Sequence, residues 1–499
     1  MLRLLKRFFS VSSLTPRDGT RGDLPGTREA YGNLMRIALP SVCEMVLISL
    51  MGSVDTMMVG NIGTEAIAAV GLVGQPRMLM LCMFFALNTG ITAVVARRKG
   101  QSDRESANRT LRTSLIITAL LSLVMLFVAM TFSRPLMRLA GAKADTIDDA
   151  DIYFRIVTVV LPFNALSMAM CAAQRGIGNT RITMYVNVTS NLVNVLLNYF
   201  LINGIWIFPR LEVRGAAIAT AIGLCVGSVL AFISLARNSK DSFLHLSARD
   251  RWAIDRPSAK AVLTVGGNSM LEQVALRIGF FIYARLVADL GTQAYASHVV
   301  CMQFLNLSFT FADGIGVAST SLVGQMLGKE RPDLSHIYGK IAQRIAIVGA
   351  VCIASLMVAF RYPLVSLFTD DPTVKRLSAN VMLIVALFQP LQMLSVITSG
   401  ALRGAGDTKY VARIMLICVA IIRPVLAFAA IRVILAFFTP VYATAAIVTA
   451  AETMAYWLSY EAPQWALMGA WAASLVDMGM RMTLVMRRFN GGKWHSIKV

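Results

Sequence analysis

The sequence predicts an all-α integral membrane protein with twelve transmembrane helices in two pseudo-symmetric six-helix lobes. Three observations lead to this prediction: an apolar composition, twelve apolar stretches of membrane-spanning length, and an internal repeat. The 499 residues are 56% hydrophobic and only 15% charged, with a mean hydropathy of +0.64. Soluble domains are considerably more polar than this.

Each predicted span is close to or longer than the roughly 20 residues that a helix needs to cross a bilayer. The spans lie at 34–59, 65–95, 112–133, 153–172, 183–204, 215–236, 261–289, 294–326, 341–360, 378–399, 411–434 and 465–486. Six fall in each half of the chain. Because that number is even, both halves enter the membrane in the same sense, which predicts a parallel repeat.

The internal repeat relates the two halves at an offset of 228 residues. The segment AQRGIGNTR at 173–181 returns as ALRGAGDTK at 401–409, and Glu44 returns as Glu272. Solenoid repeats have periods of roughly 20 to 50 residues, so this repeat indicates a duplicated half-protein instead. In a membrane chain, such a duplication is typical of transporters whose site lies between the halves.

Basic residues alternate between the two sets of loops. The tails and every second loop hold 33 Lys and Arg residues, whereas the opposite loops hold 8. This bias predicts that both termini are cytoplasmic. Topology and contact with anionic lipid head groups account for the net charge of +20, and we favour that explanation over nucleic-acid binding.

Polarity and the repeat divide the chain into four segments. We expect a cytoplasmic tail at 1–32, an N-terminal lobe at 33–238, a cytoplasmic linker at 239–259 and a C-terminal lobe at 260–499. The repeat loses its register near the end of the second lobe, which indicates an outer-side insert within 435–464. An interfacial helix or an external hairpin is expected there.

Neither a metal site nor an enzymatic site is predicted. The seven cysteines lie within the predicted spans and the four histidines do not cluster, so packing is the expected role of the cysteines. The sequence has no Walker-type Gly-Lys-Ser/Thr loop for nucleotide hydrolysis. Any pumping would therefore use an ion gradient, and we predict no cofactor.

Several segments resemble the multidrug and toxic compound extrusion (MATE) family. They are VDTMMVG at 54–60, the paired Arg-Gly-x-Gly-Asx-Thr segments at 175–180 and 403–408, NVLLN at 194–198 and RGAA at 214–217. The resemblance covers about 33–435 and 465–494. It implies two six-helix lobes that form a V around a central cavity, and export of organic cations driven by inward flow of Na⁺ or H⁺.

Asp55 is the first candidate for ion coupling. A carboxylate inside a span costs roughly 3 kcal/mol or more unless it is paired, hydrated or protonated, so such residues are candidates for function. Binding a cation or losing a proton there would switch the local charge. The resemblance gives the aligned aspartate this coupling role. The alternative is an aspartate near the helix end that is hydrated from outside.

Two glutamates are further candidates for ion coupling. Glu44 lies 11 residues before Asp55, and at about 100° per residue both side chains share one face of the first span. The repeat places Glu272 at the equivalent depth of the seventh span, and we expect both glutamates near the midplane. Glu272 matches an acidic residue that helps to bind the ion in sodium-coupled bacterial members of the family, so the resemblance implies an ion-binding role for Glu272. Alternatively, Arg277 or Arg285 neutralises Glu272.

The fifth span carries four amides on one face. Asn187, Asn191, Asn194 and Asn198 follow the spacing i, i+4, i+7, i+11. Such a stripe is either a set of interhelical hydrogen bonds or the wall of a cavity. The resemblance places Asn194 and Asn198 near the aspartate of the first span, which favours a functional role for these two residues.

Two more residues are candidates for the cavity. Gln392 occupies the position where the sodium-coupled branch has an aspartate. A neutral oxygen is a weaker ligand for a hard cation, which favours H⁺ over Na⁺. An interhelical hydrogen bond is the alternative role for Gln392. Asp313, in the eighth span, is either a cavity acid or a paired structural residue.

We therefore predict a monomeric multidrug antiporter of the bacterial inner membrane, in contact with membrane lipids. It would export lipophilic organic cations in exchange for H⁺ or Na⁺. One alternative is a flippase for a lipid-linked precursor, whose site would be rich in Arg and Lys, whereas this chain has few cations within its spans. A second alternative is a channel or receptor scaffold, which would show no gradient-driven transport.

Overall fold

The computed structural model describes residues 8–14, 19–60, 62, 64–143, 146–205, 209–237, 242–247, 249–446 and 462–497. These residues form helices joined by short loops, without β-strands, as the composition predicts. The predicted insert at 435–464 lies partly outside the described residues.

The helices of the first half are α1 (Thr27–Gly60), α2 (Thr64–Gly100), α3 (Arg104–Thr131), α4 (Ser133–Leu139), α5 (Ile147–Val159), α6 (Leu161–Gly176), α7 (Thr180–Asn203) and α8 (Glu212–Ala236). Those of the second half are α9 (Arg256–Ala288), α10 (Thr292–Gly328), α11 (Pro332–Ala359), α12 (Arg361–Ser366), α13 (Pro372–Gly404), α14 (Thr408–Met415), a π-helical segment (Leu416–Ile422), α15 (Arg423–Ala446) and α16 (Ala462–Asn490). The first four helices of each half follow the same order, three long and one short, as the repeat predicts.

Every predicted span corresponds to one helix or to two or three consecutive helical segments. Eight spans in the described part of the chain are long and apolar enough to cross a membrane, or nine if α5 and α6, bent by 49°, count as one. Three other helices are also long: α7, α9 and α16 have 24, 33 and 29 residues. They carry more polar and charged side chains, which lower their hydropathy. Twelve crossings therefore remain a prediction.

The halves differ at two places where the helix is bent or irregular. Pro162 lies at the start of α6, just after the bend. Proline favours a bend there because it lacks a backbone donor and its ring clashes with the preceding turn. Its repeat partner Pro390 lies inside the continuous helix α13. The second half instead contains the π-helical segment, and such turns are frequent at functional sites.

The two lobes contact each other through α1, α2, α9 and α10. Gly100 and Gly328, which are repeat partners, lie backbone to backbone at the ends of α2 and α10. A Cβ atom on either would overlap the other helix. Gly314 of α10 packs against Val42 of α1. The contact between Gly100 and Gly328 lies at the end of the bundle that the charge bias assigns to the cytoplasm, and the contact between Val42 and Gly314 lies near the middle of α1 and α10.

The N-terminal segment is folded against the second lobe. Val11 and Leu14 are buried, and Arg344 of α11 donates hydrogen bonds to the Ser10 carbonyl at 3.3 Å and to Ser13 Oγ at 3.1 Å. At the other terminus, Arg97 of α2 donates to a carbonyl of the C-terminal segment at 2.6 Å. Each terminus therefore contacts the opposite lobe, and α1 begins at residue 27, inside the predicted tail.

Candidate functional site

Two carboxylates of α1 bind two amides of α7. Asn187 donates to Glu44 with an Nδ2–Oε1 distance of 2.7 Å, and Asn198 donates to the Asp55 carboxylate. The members of both pairs are 143 residues apart. The equal separation shows that α1 and α7 run parallel in one register. The two pairs are about three helical turns apart, so the same carboxylate–amide contact occurs twice along α1 and α7.

The Asp55 site lies in the last turns of α1 and is half-buried. Asn198 is fully buried, and its Oδ1 atom has no hydrogen-bond partner among the described residues. The positive charge of Arg77, on α2, acts electrostatically on the Asp55 carboxylate. A carboxylate and an unused amide oxygen thus occur together, and both would accept a proton donor or coordinate a cation.

The other two amides of the stripe have different roles. Asn194 donates to Thr220 Oγ1 of α8 at 3.1 Å, and the Tyr153 hydroxyl also bonds to Thr220. Asn191 donates to the Asn187 carbonyl one turn earlier, at 2.8 Å. Of the two amides expected near the aspartate, Asn198 therefore contacts it, whereas Asn194 connects α7 to α8.

Glu44 is enclosed by polar partners near one end of the bundle. Its carboxylate accepts from Thr183 Oγ1 at 2.7 Å, in addition to Asn187, and lies 3.5 Å from Arg175 Nη1. Only 1% of its surface is exposed. Arg175 lies in the last turn of α6 and Thr183 in the first turn of α7, so Glu44 is level with helix ends. Glu44 lies near the middle of α1 itself, and its depth in the membrane stays a prediction.

Glu272 has an arginine partner from another helix. Arg403, in the last turn of α13, binds it with two hydrogen bonds: Nη2–Oε1 at 2.6 Å and Nε–Oε2 at 3.3 Å. The partner is thus neither Arg277 nor Arg285, the two candidates in the same helix. Arg285 instead lies 3.4 Å from the exposed Asp289. A signal for Arg403 was present in the sequence, because the repeat preserves Glu272 and Arg403 together.

Gln392 and Asp313 lie in the second lobe. Gln392 is buried, and its Oε1 atom has no hydrogen-bond partner in the part of the chain that the structure describes. Asp313 is half-buried on α10, within electrostatic range of Arg403, Arg175 and Glu272. Asp313 is therefore within electrostatic range of one arginine from each lobe. Gln392, in contrast, makes no hydrogen bond to a carboxylate among the described residues.

A third group of charged residues, in α15 and α16, was not predicted from the sequence. Arg423 at the start of α15 pairs with Asp477 of α16 at 2.7 Å, and both side chains are buried. Arg481, assigned from the sequence to the cytoplasmic end, is buried in α16. The i, i+4 spacing of Asp477 and Arg481 in the last span was the available signal. Groups of metal-binding side chains are not found among the residues described.

The comparisons with known proteins agree with this architecture. A family model described as MatE matches residues 40–200 and again 269–429, two ranges related by nearly the offset of the internal repeat. A probable multidrug resistance protein NorM of Thermotoga maritima is 28% identical over 469 residues, which cover 93% of each chain. Multidrug resistance protein MdtK of Edwardsiella ictaluri is 27% identical over 388 residues, 77% of this chain and 83% of its own.

Solved structures show the same fold. An outward-facing multidrug resistance MATE family transporter of the MOP superfamily superposes with a TM-score of 0.80 at 20% identity, covering 97% of this chain and 98% of the other. A Vibrio cholerae MATE transporter gives 0.79 at 18% identity, covering 93% and 98%. With the MatE model matching most of both repeated halves, the chain belongs to the MatE family, the multidrug and toxic compound extrusion transporters.

Proposed function

We propose that this transporter exports lipophilic organic cations in exchange for inward-moving H⁺ or Na⁺, and that Asp55 is the coupling site. The observation that carries the proposal is the Asp55–Asn198 pair, in which Asn198 donates through its amide nitrogen while its amide oxygen is buried and has no hydrogen-bond partner among the described residues. A buried acceptor without a partner costs free energy. A proton donor or a cation at this site would satisfy that acceptor and the carboxylate at once.

The arrangement also supports coupling to movement. Because Asp55 and Asn198 connect α1 to α7, a change of charge at Asp55 changes the interaction between these two helices. An ion that binds from outside would weaken the attraction of the cavity for a cationic drug, and the drug would then leave. Rocking of the two lobes would expose the empty site to the cytoplasm.

The contacts between the lobes support an outward-open conformation. Gly100 and Gly328 lie at the ends of α2 and α10 that are predicted to be cytoplasmic, and Val42 and Gly314 lie near the middle of their helices. Toward the other end of α1, Met57 is 70% exposed. This conformation would let an external ion reach the outer turns of α1, where Asp55 lies.

In this scheme the two buried glutamates have a structural role. Glu44 and Glu272 are each 1% exposed, and each is paired with the arginine of the repeated motif. A buried carboxylate whose charge is already compensated has little tendency to bind a further cation. We infer that Arg175 and Arg403 hold the loops after α6 and α13 in place. Because Arg175 and Arg403 are neutralised, neither is available to bind a lipid-linked pyrophosphate, which disfavours the flippase.

The test is efflux of a fluorescent organic cation from drug-sensitised bacterial cells that express Asp55→Asn. This change keeps the side-chain shape but removes the charge. We expect roughly 5- to 150-fold lower efflux, the range of typical coupling free energies. Asp289→Asn, in an exposed ion pair, is the control and should retain efflux. Wild-type efflux by Asp55→Asn, at equal membrane abundance, would show that coupling lies elsewhere.

The coupling ion is identified by collapsing the two gradients separately. A protonophore removes the proton gradient, and a sodium ionophore in sodium-balanced medium removes the Na⁺ gradient. Efflux should stop in one treatment and continue in the other. Efflux that continues in both would contradict antiport by either ion and would leave the channel alternative.

A further inference from the structure

Arg481 is a buried guanidinium without a carboxylate partner among the described residues. It is 3% exposed, and its Nη1 and Nη2 atoms lie 3.5 Å from Met415 Sδ and 2.5 Å from Met478 Sδ. Its Nε atom has no hydrogen-bond partner. A thioether sulfur is only a weak acceptor, and an arginine keeps its charge inside a protein. The positive charge of Arg481 is therefore not compensated by the groups that touch it.

The two acids that act on Arg481 each bind another arginine, and Asp477 does so through Oδ2 while its Oδ1 has no partner among the described residues. Asp477 accepts from Arg423 Nε at 2.9 Å, and Arg423 Nη2 lies 2.7 Å from the same oxygen. Glu272, which also acts on Arg481, is held by two hydrogen bonds from Arg403. Two guanidinium groups therefore share a single carboxylate between α15 and α16. One positive charge is left over, and an isolated buried charge is too costly to persist.

The fold itself does not require these charges. In the first lobe, the repeat position of Arg423 is Val195, at the offset of 228 residues. After the insert, α16 matches α8 at an offset of 254 residues, so Asp477 and Arg481 correspond to Gly223 and Gly227. The first lobe packs with two glycines where the second lobe buries two charges. The charges are an addition to the repeated scaffold, which favours a specific role for them.

We propose that a small monovalent anion, chloride in the cell, binds beside Arg481 in the second lobe. The surrounding side chains of Met415, Met478 and Cys418 indicate the class of anion. They are soft and polarisable and provide little hydrogen bonding, and Cys418 is fully buried. Such walls suit a weakly hydrated halide better than a phosphate or a carboxylate, whose oxygens need several donors. Met415 and Cys418 place the site next to the π-helical segment.

The experiment measures thermal unfolding of the purified full chain in detergent, in sodium chloride, bromide or isethionate at equal ionic strength. Halide binding to the folded state should raise the unfolding temperature by roughly 1–3 °C, with saturation. In Arg481→Met, we expect no halide shift and no loss of stability in isethionate, because an apolar side chain of similar volume replaces an unpaired charge. Arg432→Met, at an exposed arginine of α15, should keep the shift.

Two outcomes would overturn the proposal: equal unfolding temperatures of the wild type in halide and isethionate, or an unchanged halide shift in Arg481→Met. Direct binding of radioactive chloride to the wild-type protein provides a test that needs no variant. Chloride should bind with saturation and be displaced by bromide but not by isethionate. Lack of saturable binding would show that water, not an anion, fills the site. None of these measurements depends on drug transport.

Discussion

At the scale of single residues, the second lobe is held by charge pairs that join different helices. Arg403 binds Glu272 with two hydrogen bonds, and both are largely buried. Removing one partner of such a pair costs far more than the pair contributes, because the other charge remains buried and unpaired. The same arrangement in the first lobe, Arg175 with Glu44, is longer at 3.5 Å and is supported by neutral donors.

This difference predicts unequal tolerance to substitution. Glu272→Gln should lower the free energy of unfolding by about 3–5 kcal/mol, because Arg403 stays buried without its counter-charge. Glu44→Gln should cost less, since Thr183 and Asn187 remain as partners. Thermal unfolding in detergent would measure both. Partial recovery in the double variant Glu272→Leu with Arg403→Met would confirm the cause, whereas equal losses in the two single variants would contradict it.

A surface pair of residues gives a pH-dependent contribution to stability. Asp103 caps α3, accepting a hydrogen bond from the Ser106 backbone at 2.9 Å, and this bond lowers the pKa of the Asp103 carboxyl. The contribution is therefore present above the ordinary aspartate pKa and is lost as the pH falls through the lowered value. Asp103→Asn should remove this part of the acid sensitivity in unfolding measured from neutral to acidic pH. An unchanged profile would rule the contribution out.

At the scale of elements, the repeat predicted the helices well because hydropathy and turn residues are local signals. The loops after α6 and α13 are an example. Gly178 and Gly406 both adopt left-handed conformations, with φ of 86° and 87°, and each follows the arginine of the motif. The partner of Glu272 could not be chosen from helical spacing, because Arg403 comes from a different helix. Comparison of the two halves would have identified it, since Glu44 and Arg175 show the same separation.

These loops lead to a prediction about glycine. Gly178→Ala should destabilise the protein by roughly 1–2 kcal/mol, the cost of a left-handed conformation for a residue with a Cβ atom. The added atom would also lie 3.1 Å from Ile37. Gly267→Ala is the matched control, because this helical glycine of α9 faces open space and alanine favours a helix by up to about 1 kcal/mol. Unfolding temperatures should therefore shift in opposite directions.

At the scale of the whole molecule, the lobes meet where two glycine backbones touch. A Cβ atom on Gly328 would lie 2.1 Å from the Arg97 carbonyl, so even alanine must push α2 and α10 apart. We expect Gly328→Ala to favour separation of the lobes at the predicted cytoplasmic end. Spin labels at the exposed residues Glu105 and Lys329 would report longer distances, in a protein with its native cysteines replaced.

The control for this prediction is Gly32→Ala, at a glycine of α1 where an added Cβ atom meets open space. Its distance distribution should match that of the unsubstituted protein. A Gly328→Ala distribution that also stays unchanged would mean that the helices absorb the extra atom by local shifts, without movement of the lobes.

The crossed packing of the two termini has a consequence for biosynthesis. The segment before α1 is translated first, yet Arg344, which binds it, belongs to α11 of the other half. The ribosome must therefore produce more than 300 further residues before this segment finds its binding surface. The residues after α16 that Arg97 binds are translated later still. Closure of the predicted cytoplasmic end is thus a late step in maturation, and a chain truncated after its first lobe cannot complete it.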